Sequence, residues 1–265
     1  MCNYRELTPP AHLAPYVACL WTRSTSDAEA DLQSRILPDG CIDVIWVGAR
    51  PPAIAGPATT AVQAMLPAWS TLVGVRLRPG AAPNVLGLPS SELLDAEVPL
   101  HDVWGRGMPD LAEHIAELPD VAAKLAAVEA IVAGRLANAD PPDHLVRAAT
   151  TWLAQHPDGQ VSTLSQTLGL SDRQLRRRCE ATIGYGPKTL HRVLRFQRWL
   201  RLTRRAVGAQ ASLAALALES GYADQAHLTR EVRRLAGVSP TALLTGQENG
   251  MALQANLDGV SAWTV

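Results

Sequence analysis

The chain has 265 residues, of which 47% are hydrophobic and 18% are charged. This length is enough for two domains of ordinary size, and the composition is globular, which excludes a disordered protein. The first residues lack the basic start and apolar run of a signal peptide, and no stretch approaches the roughly 18 continuous apolar residues of a membrane helix. We therefore expect a cytoplasmic protein without membrane contact.

Charge divides the chain into two unlike parts. Residues 144–245 contain fifteen Lys or Arg against six Asp or Glu, a balance of +9, while the remainder has a balance of −10. This asymmetry predicts that the C-terminal part meets a polyanion and that the other part has a different task. Four cysteines without a CxxC pair predict reduced thiols; they are Cys2, Cys19, Cys41 and Cys179.

The first predicted domain covers residues 1–139 and is β-rich to about residue 80. Apolar runs are broken by Pro and Gly, and Asp39-Gly40 is a turn signal between two of them. This pattern predicts a small β-barrel or sandwich. Residues 81–139 are expected to be helical, because apolar side chains recur every three or four positions over Val121–Leu136 after a capping Asp120. That apolar stripe fits packing on the barrel and pairing with a second subunit equally well.

A cluster of helix breakers at 138–143 places the domain boundary, so the second domain is predicted at 140–245 and a tail at 246–265. A helix is expected over His144–Gln155. Its predicted buried face consists of Leu145, Ala148, Trp152 and Leu153.

Two capping-box spacings follow, Thr163 to Gln166 and Ser171 to Gln174, on either side of Gly169. Two capped helices joined by a Gly-containing turn are typical of a helix-turn-helix unit. The second of these helices, at 172–182, is rich in Arg and Gln, which hold guanine and adenine in the major groove. Taken alone, the same face is equally typical of a solvated basic surface.

A long helix and a second unit of the same kind come next. The helix predicted at 187–206 spans about 30 Å, close to the roughly 34 Å of one DNA turn. Ser212 then caps a short helix, Gly221 makes a turn, and 223–235 forms another basic helix. Two such units on one rigid rod suit successive major grooves of a duplex.

These residues resemble the DNA-binding domain of AraC/XylS-type regulators. The resemblance rests on Gly169-Leu170-Ser171 with Arg173, Leu175 and Arg177, on Leu213-Ala214 and Ala217, on the run from Glu219 to Glu231, and on Gly237-Val238-Ser239-Pro240. It implies a seven-helix domain that binds DNA asymmetrically, usually to activate transcription. The chain departs from the family at Cys179 and Val232, where Phe is usual, and both positions are expected in the core.

The resemblance also implies which residues contact DNA. The first recognition helix would use Asp172, Arg173, Gln174, Arg176 and Arg177, and the second would use Asp224, Gln225, His227 and Arg230. Lys188 and His191 would reach phosphates, although an ordinary surface position explains them as well.

The N-terminal half resembles the cupin-like sensor regions of some of these regulators at 36–46 and 74–80. Such regions bind an effector or dimerise. The candidate effector pocket consists of Trp21, Cys41, Asp43, Trp46 and Trp69. The alternatives are core packing for the indoles, also of Trp104, a hydrogen-bonded strand-end carboxylate for Asp43, and a thiol sensor at Cys19 and Cys41. His12, His101 and His114 lack His-x-His spacing, so neither a metal nor a cofactor is expected.

The sequence thus predicts an α+β protein with an N-terminal β-barrel or cupin-like domain carrying helices and a C-terminal all-α domain with two helix-turn-helix units. Its function is predicted as a sequence-specific DNA-binding regulator, an activator that responds to a small molecule. Expected partners are double-stranded DNA, RNA polymerase, the effector and a second copy of the chain. Two alternatives stay open: a regulator controlled by abundance or a protein partner, and a cupin-type enzyme tethered to DNA. No metal spacing, nucleophile motif or phosphate loop favours the enzyme.

Overall fold

The computed structural model describes residues 3–25, 32–48, 50–105, 109–206, 212–245 and 252–254. A strand-rich part precedes a helical part, as the sequence predicts. The strands are β1 (Asn3–Leu7), β2 (Val17–Ser24), β3 (Leu32–Ile36), β4 (Ile42–Val47), β5 (Ala53–Ala55), β6 (Val62–Leu66), β7 (Thr71–Leu77), β8 (Glu97–Pro99) and β9 (Ala252–Gln254). The helices are α1 (Ala82–Leu86), α2 (Leu100–Trp104), α3 (Pro109–Glu117), α4 (Val121–Leu136), α5 (His144–Gln155), α6 (Val161–Thr167), α7 (Asp172–Ile183), α8 (Pro187–Arg205), α9 (Leu213–Glu219), α10 (Gln225–Ala236) and α11 (Pro240–Thr245), with a 3-10 helix at Ser90–Leu93.

The strands form two sheets. One has six strands in the order β1-β2-β7-β4-β5-β8, all antiparallel, and the other has three in the order β6-β3-β9. Strand β9, at 252–254, pairs parallel with β3, so this part of the predicted tail is a strand. The rest of 246–265, like Cys2, lies outside the described residues. Within the described part, no helix is long and apolar enough to cross a membrane.

Alternation along β4 gives the large sheet two different faces. Ile42, Val44 and Trp46 are buried on one face, and the intervening side chains point to the other. On the first face lies α4, which Asp120 caps by accepting a hydrogen bond from the Ala123 amide at 2.8 Å. The apolar stripe of α4 contacts β2 and β7 of its own chain. Leu125, Val128 and Val132 of this stripe are buried there, which is the packing on its own sheet that the sequence allowed as one of two alternatives.

Polar side chains lie on the opposite face of this sheet, around one buried arginine. Arg76 is 2% exposed and forms ion pairs with Asp43 at 3.0 Å, Glu6 at 3.4 Å and Asp39 at 3.6 Å. A buried charge is tolerated only when it is paired, and three carboxylates supply that pairing. Asp43, predicted to hold a ligand or to be a hydrogen-bonded carboxylate, is the latter.

The helical part is built around α8. Ten of its nineteen residues are buried, among them Phe196 and Trp199. Its core contains Cys179 and Val232, both at 0% exposure, which confirms the prediction that these two positions are internal. Cys and Val are smaller than the Phe that is usual at these two positions, and buried side chains of α7, α8 and α10 belong to the same cluster.

Two local predictions in this part are wrong. Helix α6 begins at Val161 after Gln160, and no side-chain cap is present, so Thr163 lies inside the helix and does not cap it. The buried face of α5 is Val146, Ala149, Thr150 and Leu153, while Ala148 is exposed. The predicted face is one position off at Leu145 and Ala148. Small and β-branched residues line most of the helix, so apolar spacing alone does not define its buried side.

The two parts share a core and exchange hydrogen bonds. Leu37 and Ala18 belong to the same buried cluster as the side chains of α5, α7 and α8. Gln197 on α8 donates to the Pro38 carbonyl at 2.6 Å, the Ala61 amide to the Leu235 carbonyl at 2.7 Å, and the Ser90 hydroxyl to the Thr182 carbonyl at 2.8 Å. Arg35 also donates to the Ala236 carbonyl. The β part therefore touches both ends of the helical part.

We expect this contact to respond to substitution of Gly184, which ends α7 with φ of +104°. A Cβ at this position would lie 2.5 Å from Pro57 Cγ and 3.0 Å from the Ser90 carbonyl oxygen, both in the β part. Gly184→Ala should lower the free energy of unfolding by the roughly 1 kcal/mol of the left-handed backbone plus about 1–3 kcal/mol of overpacking. Urea unfolding of the full chain measures it.

Gly169→Ala is the matched control, because Gly169 has φ of +65° and nothing lies within 4 Å of a Cβ built there. It should show only the backbone contribution. Equal losses in the two variants would contradict close packing of the β part on the end of α7.

Candidate nucleic-acid interface

The first helix-turn-helix unit consists of α6, a turn and α7. Gly169 has a positive φ in the turn, and the Leu170 amide donates to the Ser165 carbonyl at 2.9 Å. Ser171 caps α7 in a complete capping box with Gln174. The Ser165 hydroxyl also donates to the Asp172 carboxylate, which joins the end of α6 to the start of α7. This turn is thus fixed by its own hydrogen bonds.

The second unit, α9 and α10, repeats the same turn. Gly221 has a φ of +84°, and the Tyr222 amide donates to the Ala217 carbonyl at 3.0 Å. The cap of α10 comes one residue later than in the first unit, at Asp224, whose carboxylate accepts from the His227 amide at 2.6 Å. The two units predicted from the sequence therefore have the same backbone hydrogen bond in the turn. The second unit has one additional residue before its second helix.

Helix α8 joins the two units. It packs against α5 and α7 on one side and against α9 and α10 on the other. Its 19 residues correspond to a rod of about 28 Å. Because both units pack on the same rod, their separation is set by one rigid element.

Three arginines on α8 hold the second unit in place. Arg192 forms a bidentate pair with Glu231 of α10, at 2.7 and 3.0 Å. Arg195 donates to the Gly221 carbonyl at 3.4 Å and lies over the ring of Tyr222, and Arg198 donates to the Glu219 carbonyl at 2.9 Å. The contacts of these arginines were not predicted from the sequence. Their spacing of three residues, which puts them on one helix face, was the signal that could have identified them.

The arginines of α7 differ in whether the protein already uses them. Arg176 pairs with Glu180 at 2.7 Å, and Arg178 pairs with Asp143 at 2.5 Å. Arg173 and Arg177 are exposed, lie opposite the buried Leu175 and Cys179, and have no hydrogen bond or ion pair within the described residues. Only these two present a free guanidinium to solvent on the outer face of α7.

The polar candidates at the start of each recognition helix also have internal roles. Asp172 accepts from Ser165, and Asp224 caps α10. Gln174 Oε1 accepts from the Ser171 amide at 2.9 Å, so a bidentate grip on adenine, which needs both amide atoms, would require breaking the cap. His227 is half-buried with its ring edge against Tyr222, 5.3 Å between centroids. Gln225 is exposed.

On α10, the side chains opposite the buried Leu228, Val232 and Leu235 are basic. Arg230, a sequence-predicted contact, is exposed, and Arg233 and Arg234 are exposed beside it. Neither Arg233 nor Arg234 was among the predicted contacts. A count of positions from the apolar stripe would have found both, because both lie on the side of the helix away from that stripe.

The two residues expected to reach phosphates are unlike each other. Lys188 is exposed near the start of α8. His191 is 7% exposed, and its Nε2 lies 3.0 Å from the His156 carbonyl oxygen. Burial lowers the pKa of His191, and the neighbouring Arg195 charge lowers it further. A buried neutral imidazole with a backbone partner is a packing residue, so the phosphate role of His191 is wrong.

The five candidates for an effector pocket do not come together. Trp21 and Asp43 share one face of the large sheet, where Trp21 Nε1 donates to Asp43 at 2.8 Å, whereas Trp46 is buried on the other face. Trp69 is 74% exposed. The reason is strand parity: Asp43 and Trp46 are three residues apart on one strand, so their side chains point to opposite sides.

The two cysteines of this region do not form a reactive pair. Burial raises the pKa of Cys19 to about 12 and holds that of Cys41 well above its usual value. Arg76 lowers both values but is itself engaged by carboxylates. Thiols with such pKa values carry almost no thiolate at neutral pH, which argues against the thiol-sensor alternative.

Comparison with known proteins matches both parts of the chain to families. Residues 164–246 match the family described as a helix-turn-helix domain. The C-terminal part is therefore an AraC-type helix-turn-helix domain. A chain with this domain is a DNA-binding transcription regulator. Residues 5–99 match a family described as a domain of unknown function, DUF6597. The comparison with curated proteins found no match.

Among solved structures, the chain is similar to ToxT from Vibrio cholerae. One ToxT structure has a TM-score of 0.44 at 10% identity and covers 93% of this chain and 100% of that chain. A second, from strain O395, has a TM-score of 0.44 at 11% identity, with 87% and 97% covered. A third, of wild-type ToxT with a bound unsaturated fatty acid, has a TM-score of 0.43 at 11% identity, with 92% and 94% covered.

The environment of His191 predicts a specific pH dependence of stability. Because its pKa is lower in the folded state than the roughly 6.5 of an unfolded chain, the folded state binds fewer protons between these two values. The stability that the neutral ring contributes is present above about pH 6.5 and is lost as the pH falls toward the folded pKa. Urea unfolding between about pH 5 and 8 should show this rise with pH, flattened in His191→Gln. His12→Gln, at an exposed position, is the control. An unchanged pH slope in His191→Gln would contradict the assignment.

The Arg192–Glu231 pair should stabilise the AraC-type domain far more than the Arg176–Glu180 pair does. Both have an Nε–Oε distance of 2.7 Å, but the side chains are 21% and 15% exposed in the first pair and 71% and 39% in the second. Arg192→Ala leaves Glu231 half-buried without its partner, so we expect a loss of about 2 kcal/mol in the free energy of unfolding.

Arg176→Ala removes an exposed pair that solvent screens, and it should leave the unfolding midpoint unchanged within error. Urea titration of both variants measures the difference. A loss of the same size in both would mean that burial of the Arg192 pair adds nothing to the stability of the domain.

Proposed function

We propose that this chain is a sequence-specific regulator that reads DNA through α7 and α10. The observation that carries the proposal is the division of the basic side chains. On α8, Arg192, Arg195 and Arg198 contact the second unit, and on α7, Arg176 and Arg178 form ion pairs. By contrast, exposed arginines without a hydrogen bond or ion pair within the described residues lie on the outer faces of the two reading helices, Arg173 and Arg177 on α7 and Arg230, Arg233 and Arg234 on α10. Unpaired arginines on the outer face of a recognition helix are suited to bidentate contacts with guanine.

The remaining candidates take lesser roles in this proposal. Asp172, Gln174 and Asp224 position the helix starts that carry the arginines. Each aspartate keeps one carboxylate oxygen that can accept from a base amino group, and Gln174 keeps its amide nitrogen as a donor. Contacts to the sugar-phosphate backbone, which set orientation, are assigned to the candidates beside these arginines. They are Arg176 on α7, Lys188 near the start of α8, and Gln225 and His227 on α10. Helix N-termini themselves attract phosphate oxygens.

The regulatory outcome is also part of the proposal. We infer a cytoplasmic activator without enzymatic activity that contacts RNA polymerase, binds a small effector through its N-terminal half and acts as a dimer. In support, the β part is held to the DNA-binding helices by a shared core, so a change in one part is transmitted to the other. Since α4 is occupied by its own sheet, a dimer contact would lie elsewhere.

The test is selection of genomic fragments by the purified full-length protein at two salt concentrations. We expect a discrete asymmetric site that spans two adjacent major grooves, with affinity that falls steeply as salt rises, because arginine contacts release counterions. Arg173→Ala should weaken binding about 5- to 100-fold and relax preference at one half of the site only.

Arg178→Ala is the matched control, since Arg178 lies on the same helix and its guanidinium is paired with Asp143. It should retain the base preference of the original chain. Recovery of no preferred sequence, or equal effects of the two substitutions on base preference, would contradict the assignment of α7 as a reading helix.

A further inference from the structure

A cleft lies where the β part meets the first helix of the AraC-type domain. Its volume is about 560 Å³, within the range of roughly 300–1,000 Å³ that small-molecule sites occupy. One wall comes from Pro15 before β2 and from Arg78 and Pro79 after β7. The other comes from Pro142 and one side of α5, namely His144, Arg147, Ala148, Thr150, Thr151, Trp152 and Gln155.

The charged groups of this cleft all have the same sign. Arg78 and Arg147 face it from opposite walls, His144 lies beside them, and no carboxylate is among the described residues that line it. Arg78 donates from Nε to the Ala14 carbonyl at 2.6 Å, which fixes the position of its guanidinium group. Burial lowers the pKa of Arg78, and the charge of Arg147 lowers it too. The nearest acid in sequence, Asp143, is engaged elsewhere, since it caps α5 and pairs with Arg178.

A buried hydroxyl without a partner lies in the same wall. Thr150 is 5% exposed, and its Oγ1 has no hydrogen-bond partner within the described residues. An unsatisfied buried hydroxyl costs free energy of folding. A ligand with an acceptor atom that reaches this hydroxyl would satisfy it.

The rest of the lining is apolar. Pro15, Pro79 and Pro142 present rigid rings, and Trp152, half-buried, is held in place by stacking on His156 with 4.4 Å between ring centroids. Such a surface takes up the hydrocarbon or aromatic part of a ligand. A free inorganic anion would leave it uncovered.

We propose that this cleft binds a small organic carboxylate with an apolar body, its carboxylate between Arg78 and Arg147 and its apolar part against Trp152 and the prolines. The inference rests on the proposed function in that it assigns the site at which the regulator takes its effector. The effector site is then the joint between the two domains and not the interior between the sheets, where Arg76 is already paired with three carboxylates.

The position of the cleft determines what a bound carboxylate does. Helix α5 packs on α7 and α8, and Arg178 of α7 is tied to Asp143 at the start of α5. A ligand that joins the β7 end to α5 therefore fixes the first helix-turn-helix unit relative to the β part. The second unit, held by Arg192 and Arg195, is not touched by the ligand.

Calorimetric titration of the full-length chain with sodium benzoate and sodium octanoate tests the proposal, with benzyl alcohol, octanol and inorganic phosphate as comparison probes. We expect saturable one-to-one binding of at least one carboxylate, and weaker binding of its neutral counterpart and of phosphate.

Arg147→Gln should weaken binding of the carboxylate about tenfold or more. Thr150→Val should weaken it about three- to tenfold while leaving the melting temperature equal to that of the original chain or higher, which a merely damaged fold would not do.

Arg205→Gln is the control for charge, because Arg205 is exposed at the end of α8 and outside the cleft; it should bind the carboxylate normally. Failure of both carboxylates to bind, equal weakening in Arg147→Gln and Arg205→Gln, or equal affinity for acid and alcohol would overturn the site. Binding of the selected DNA, measured on the same samples with and without the probe, separates the two proposals. A chain that binds carboxylate but no specific DNA refutes the function alone, and one that binds DNA but no carboxylate refutes the site alone.

Discussion

Burial of α8 is the constraint on which the rest of the helical part depends. About half of its side chains are internal, and they face α5, α7, α9, α10 and the loop before β4 in turn. A helix this enclosed cannot shift relative to one neighbour without disturbing the others, because protein interiors are close-packed. The distance between the two recognition helices is thus a property of one core, and each unit needs few contacts of its own.

Polar contacts then determine which charges remain for DNA. From the sequence, the arginines of residues 173–205 are equivalent, and only the net charge of +9 and the spacing of the units are predictable. Arg192 has its partner 39 residues away at Glu231, Arg178 has its partner 35 residues away at Asp143, and Arg195 has its partner 26 residues away at the Gly221 carbonyl. Contacts at such separations depend on tertiary packing. For this reason the two helix-turn-helix units were predictable from the sequence, but it did not separate Arg173, which has no hydrogen bond or ion pair within the described residues, from Arg178, which pairs with Asp143.

The N-terminal half shows the same limit for a different reason. Its strands were foreseeable from apolar runs and turn residues, as was the cap of α4 at Asp120. The separation of the candidate tryptophans was not foreseeable, because residue type alone does not indicate which face of a sheet a side chain occupies. Trp21 and Trp46 lie on opposite faces, and Asp43 meets Arg76 on the neighbouring strand β7, where the two residues are register partners. Neither residue signals the other in sequence, since 33 positions separate them.

The cleft and the shared core together constrain how a small molecule can act on DNA binding. A ligand shifts an equilibrium only through its different affinity for the two states. A carboxylate bound as proposed would touch the end of β7 and α5, so it would favour DNA binding only if the angle between these two elements differs between the free and DNA-bound chain. Ser90 of the β part also donates a hydrogen bond to Thr182 near the end of α7. Because the Ala61 amide and Arg35 bind carbonyls at the end of α10, and α8 packs on both units, a change at the cleft cannot be confined to the first unit.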